Sequence, residues 1–415
     1  MDEALADRFA RVVSRARSAL AVDAGALWGV DLSACRWIGA ADDRWYATAE
    51  PAAAGFVRTA DGLWVGPPGA GVTRANTSVD WDGRRWAMVL LPLDSTVSLR
   101  ASTCLLIHEA LHTVQARLFD MHGNTEPRAD AEVLDRAAGR VWLRLELRAL
   151  AAALAESTPE GTRQRLSEAL AFRMCRLEQA TPAEADRQRC LEIGEGMPEY
   201  TGRRLAGDSG ADVSEAIRRC DDAAGKPDSA ALIRSFAYVT GPAYGFAYDQ
   251  AGHDWRSRVR ASLDLGKLGV PAAADPGGLA VGYRVDAVVA EERARDQRHR
   301  QVQAADAAVY VQGPTLRLPM SPSGVTFNPQ SVRSYAFGTV YAGVTARWDD
   351  AELTAAEALI TPDWRSVHVQ MPLAALPSAG QPGRCAGAVA VFDYGADWRF
   401  ERDGACVVAS RVDAS

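Results

Sequence analysis

A chain of 415 residues, 48% hydrophobic and 24% charged, can bury a large core, so two domains or one elaborated domain are expected. A net charge of −7 argues against nucleic acid or an anionic membrane as a main partner, and no run approaches the roughly eighteen apolar residues of a membrane span. Seven cysteines, odd in number and without a CxxC pair, do not form a disulfide framework or a cysteine metal site.

The first helix is expected over residues 3–20, with its apolar positions on one face. With Met1 as the natural start, the charged opening Met1–Arg8 lacks the apolar centre of a secretory signal and points to a cytoplasmic protein. Short strands follow at Arg36–Gly39, Trp45–Thr48 and Gly62–Gly66, each bounded by turn residues. Asp82-Gly83 between Thr77–Trp81 and Arg85–Leu91 is the strongest hairpin signal in the chain. The second of these strands leads through Pro92 into a helix expected over about 98–118.

That helix carries His108-Glu109-Ala110-Leu111-His112, in an apolar run. Histidines four residues apart lie on one helical face, where two imidazoles can grip one Zn²⁺, and the glutamate between them can serve as a base toward a metal-activated water. A catalytic zinc site usually adds a third protein ligand and leaves one position open. Glu195, in Leu191–Gly202, is the leading candidate; Glu199, one turn on, can orient a ligating histidine. Glu132, Glu146 and a site with no glutamate ligand remain as alternatives.

Beyond the motif, helices are expected near 129–156, 160–179, 183–205 and 209–223. Another covers 228–250, interrupted at Gly241-Pro242, where proline suits the first turn of a new helix. Helices near 253–264 and 280–307 close this part. From about 310 the segments Val309–Val311, Thr315–Leu318, Val325–Phe327 and Ala388–Phe392 read as short strands. Cys385 and Cys406 flank an expected hairpin and are placed to pair in an oxidising compartment. The organisation is therefore 1–95, a mixed α/β part with hairpins; 96–308, a helical part with the metal motif; and 309–415, a β-rich domain.

HExxH followed by a helix with Glu195-Gly196-Met197-Pro198-Glu199-Tyr200 resembles the gluzincin metallopeptidases, in which a downstream glutamate is the third zinc ligand. Asn76–Trp81 and Ser235–Pro242 also resemble a group of uncharacterised bacterial proteins with the same motif. The familiar gluzincins place their glutamate much closer to the second histidine, at a distance that here falls on Glu132; an inserted helical hairpin would account for the longer interval to Glu195. The resemblance implies an α+β fold, a zincin-like core of hairpins, motif helix and helical bundle, followed by the β-rich domain. It also implies a peptide or protein substrate, zinc as cofactor, Glu109 as general base, and an edge strand just before the motif helix that pairs with extended substrate, the hairpin being equally readable as an ordinary structural element. A tyrosine that steadies the oxyanion is sought among Tyr238, Tyr244 and Tyr248, with Tyr244 first and Tyr238 next. The rival expectation is a zincin-fold binding protein with a silent, structural metal site; an intact Glu109 favours the enzyme. His122, His253, His299 and His368 have no partner at ligand spacing.

Overall fold

The computed structural model describes residues 2–120, 133–229, 232 and 235–411, with the side chains of 2–4 and 329–331 left out. It is a mixed α+β protein, 46% helical and 22% strand, in two compact units. The first comprises the described residues up to Glu292, and the second those from Arg293 onward.

The first unit opens with helix α1 (Asp2–Asp23) and a six-stranded sheet: β1 (Trp37–Ala40), β2 (Trp45–Ala47), β3 (Val57–Arg58), β4 (Trp64–Gly66), β5 (Thr77–Trp81) and β6 (Arg84–Leu90), in the order β3-β4-β2-β1-β6-β5. Alternation along the strands buries both faces of its centre. Trp37, Tyr46, Ala87 and Val89 join the main core, while Ile38, Ala40, Trp45, Trp86 and Met88 form a second cluster on the other face. The hairpin forms as expected: Asp82 and Gly83 take φ of 57° and 68°, the two left-handed positions that a tight two-residue turn requires. One expectation fails. β6 leads into the motif helix but is paired on both sides, with β1 and β5, so the edge belongs to β5.

The motif helix α2 (Leu99–His112) starts at Ser98, whose hydroxyl accepts from the Ala101 N–H, and ends at Thr113, whose hydroxyl donates to the Ala110 carbonyl. A short α3 (Gln115–Leu118) follows. A hairpin of α4 (Ala137–Ala155) and α5 (Pro159–Glu178), then α6 (Pro182–Leu191), occupies the interval between the two motif segments. Glu132 lies outside the described residues. The helix expected over 183–205 is divided: a five-residue π turn, Glu192–Gly196, separates α6 from α7 (Met197–Ala206), and α7 packs along α2.

After α8 (Gly210–Ala224) comes α9 (Ala237–Gln250), which runs through Gly241-Pro242 without the expected break. Pro242 withholds one N–H, but the surrounding packing carries the helix over it. Gly241 allows the close approach that does this: a Cβ there would sit 2.3 Å from the Cα of Gly196. Helices α10 (Arg256–Ser262), α11 (Pro276–Gly282) and α12 (Val285–Ala307) follow.

In the second unit, Val309–Val311 is not a strand. The segment belongs to a π turn, Ala308–Gln312, that prolongs α12, so helical continuation overrides its β-branched composition. Nine strands follow: β7 (Thr315–Pro319), β8 (Gly324–Tyr335), β9 (Gly338–Trp348), β10 (Ala351–Ile360), β11 (Ser366–Gln370), β12 (Gly383–Ala386), β13 (Ala390–Tyr394), β14 (Trp398–Asp403) and β15 (Cys406–Arg411). They make one sheet, antiparallel except where β15 meets β7, over a core that includes Leu316, Trp348, Leu353, Phe392 and Trp398. Cys385 and Cys406 are both free: they lie on β12 and β15, with four strands between them in the sheet order.

The Gly196–Gly241 crossing leaves no room for a methyl group without moving backbone. Gly241→Ala is expected to cost about 1–3 kcal/mol, as overpacking does, read as a lower urea midpoint with the secondary structure retained.

Candidate metal centre

Helix α2 brings His108 and His112 to one face, one turn apart, and the π turn brings Glu195 against them. The two Nε2 atoms are 3.0 Å apart, and Glu195 Oε2 lies 3.4 Å from His108 Nε2 and 3.7 Å from His112 Nε2. Among the described residues this is the one group of three or more His, Cys, Asp or Glu side chains placed to hold a metal ion. Ligands around a tetrahedral zinc with bonds of ~2.0 Å stand about 3.3 Å apart, so the spacing fits the ion without rearrangement.

The partners at the far side of each ring favour one tautomer. His108 Nδ1 faces Glu199 Oε2 at 3.3 Å and so carries the proton. His112 Nδ1 faces Gln115 Oε1 at 2.7 Å. The Gln115 amide nitrogen is committed to the carbonyls of Ile193 and Gly194, at 3.1 and 2.8 Å, so its oxygen is the atom left to accept from His112. In the neutral rings, both Nε2 lone pairs then point at the same space as Glu195 Oε2. Three acceptors converge there, and a cation or a proton must relieve them.

The titration behaviour shows the same tension. Burial disfavours the charged imidazole of His108, but hydrogen bonds to Glu195 and Glu199 outweigh it and push its pKa up to about 9. Burial likewise opposes the charge on Glu195, yet bonds from His108, His112 and Tyr238 hold its carboxyl far below the usual range. Glu199 is kept ionised against its burial by His108 and Arg203, whose Nε donates to Oε1 at 2.7 Å. Glu109 differs. It is 3% exposed, burial raises its carboxyl above the ordinary value, and its Oε2 has no hydrogen-bond partner among the described residues.

The tyrosines separate clearly. Tyr238 stacks on His108, with ring centroids 5.7 Å apart and planes 3° from parallel, and its hydroxyl donates to Glu195 Oε2 at 2.6 Å. At 39% exposed it is the most open residue of the site, beside the partly exposed Glu195 and His112. Tyr244 is not part of this group. It lies six residues further along α9, on a different face, is fully buried, and donates to Glu146 Oε1 at 2.8 Å. Tyr248 is equally buried and donates to the Leu265 carbonyl.

Glu146 is likewise no ligand. It is buried among cations, accepting from Arg176 at 2.7 and 3.2 Å, with Arg173 3.7 Å away. The same cluster holds Glu192, the first residue of the π turn, which takes two bonds from Arg173 at 2.7 and 2.5 Å and one from Thr240 at 3.0 Å. Reading the sequence missed these arginines, because arginine ordinarily signals surface. It also missed Gln115 and Arg203, although a residue three after His112 and one four after Glu199 stand at helical-neighbour spacing.

The chain matches no protein-family model, no curated protein and no solved structure.

Removing one partner from a buried ion pair leaves a charge without compensation. Glu192→Gln is therefore expected to destabilise the protein by about 3–5 kcal/mol, measured by urea unfolding; a loss below half a kilocalorie would show that Arg173 finds other support.

Proposed function

We propose that this chain is a zinc-dependent hydrolase of peptide or related amide bonds, built on a zincin-like core of the gluzincin kind. The observation that carries the proposal is the convergence of His108 Nε2, His112 Nε2 and Glu195 Oε2, with both imidazoles fixed from behind and an unpartnered buried carboxylate oxygen on Glu109. A site meant only to hold a metal has no use for that further acidic group.

Zinc bound by this set supplies Lewis acidity, polarising a carbonyl and bringing water toward ionisation at neutral pH. The protein's own groups do the rest. Glu109 accepts the proton of the water that attacks the carbonyl carbon, then passes it to the leaving nitrogen as the C–N bond breaks, giving an acid and an amine. Tyr238 presents its hydroxyl from the solvent side and can turn from Glu195 to the oxygen that gains charge during attack. Glu199, held by Arg203, keeps His108 in the tautomer that leaves Nε2 free.

The test is zinc content together with hydrolysis of a mixed peptide library, for wild type and variants. Glu109→Gln should keep its zinc and lose about 10²–10⁴-fold in turnover. A wild type that holds zinc but cleaves nothing the variant spares would leave a binding protein with a structural metal. Glu195→Ala should lose zinc at micromolar protein, and full occupancy would rule that ligand out. Tyr238→Phe should keep zinc and lose about 10²–10³-fold in kcat, as removal of an oxyanion donor does; unchanged turnover would reduce Tyr238 to packing on His108.

A further inference from the structure

We infer that Gln115 is the positioning residue that locks the two separate halves of the donor set into one frame, an inference that rests on the zinc reading above. His112 ends the motif helix, whereas Glu195 belongs to a turn that arrives only after α4, α5 and α6. One side chain touches both. Gln115 Oε1 takes the Nδ1 proton of His112 at 2.7 Å, and its Nε2 donates to the carbonyls of Ile193 and Gly194 at 3.1 and 2.8 Å.

Those two carbonyls are available for a reason written in the turn. Pro198 stands four residues after Gly194 and five after Ile193, the positions from which an α-helix and a π turn respectively send an N–H. Proline sends none, and the amide of Gln115 serves in its place. Gly194 is bonded directly to Glu195, so the hydrogen bond fixes the backbone from which the third ligand springs. The amide matches this task by type: one acceptor for the imidazole N–H, two donors for two carbonyls, and no atom left over. A carboxylate of the same length has no donor to offer the carbonyls, and an apolar side chain offers nothing to either.

The experiment compares wild type, Gln115→Met and Gln115→Glu for zinc affinity by competition with a chromogenic chelator. The visible spectrum of the cobalt-substituted proteins and the thermal unfolding of the metal-free forms complete the comparison. Loss of an orienting partner typically weakens metal binding about 10–100-fold, and Gln115→Met is expected in that range, with shifted cobalt bands. Gln115→Glu retains the bond to His112 but sets an acceptor against two carbonyls, so it should fall between the two. Wild-type affinity with an unchanged cobalt spectrum in Gln115→Met overturns the inference while leaving the zinc reading intact. Should that variant not fold, Gln115→Glu decides: affinity equal to wild type overturns the inference. A wild type that binds no zinc overturns both readings together.

Discussion

The ion pair between Arg173 and Glu192 is the interaction on which the geometry of the candidate site depends. Both side chains are withdrawn from water, where an unpaired charge would be prohibitive and a paired one is strong. The guanidinium meets the carboxylate with two nitrogens, one on each oxygen; Thr240 and Arg176 both add to Oε1. Glu192 begins the turn that ends in Glu195-Gly196, so α5 and α9 hold the third donor from behind while Gln115 holds it from the side of the motif helix. A donor held from the far side by a rigid, dry cluster has little freedom to drift when nothing is bound. The three donor atoms can therefore be kept at 3.0–3.7 Å, with a proton or a cation between them.

The two imidazoles are anchored by unlike partners. His108 leans on a carboxylate that is itself held by Arg203, a charge-assisted arrangement that favours a positive ring or a bound cation. His112 leans on a neutral amide. The two rings thus have like partners at Nδ1 but a different electrostatic background, and the side of the set nearer Glu199 is the more electron-rich.

Much of this was legible in the chain. His108, Glu109 and His112 declare themselves through helical spacing, and Glu195 and Glu199 through their glycine-flanked, i, i+4 context. The β5–β6 hairpin follows from Asp82-Gly83. What could not be read depends on partners distant in sequence. Glu146 looks like any acid on a leucine-rich helix until Arg176, thirty positions away, is folded against it. Tyr238 and Tyr244 share a helix and a residue type, and only the neighbours of α9 decide that one meets Glu195 and the other Glu146. Pro242 reads as a helix start because local rules cannot see the tertiary packing of α9, the close Gly196–Gly241 approach included, within which the helix continues past it. Val309–Val311 has strand composition, yet a helix already running from Val285 carries it along.

The π turn has a consequence for how the chain can vary in length. Residues three apart on an α-helix point about 60° from each other, too close for Glu192 to enter a dry arginine cluster while Glu195 turns toward two imidazoles. Widening the turn by one residue opens that angle and shifts the phase of everything after it. Deleting Ile193 or Gly194 would leave every chemically important side chain in the sequence, yet it would close the π turn into ordinary α-helix. Glu192 and Glu195 would then stand two positions apart, on nearly opposite sides of the helix, and could not both keep their present partners. At this point of the chain, residue count is as much a part of the site as residue identity.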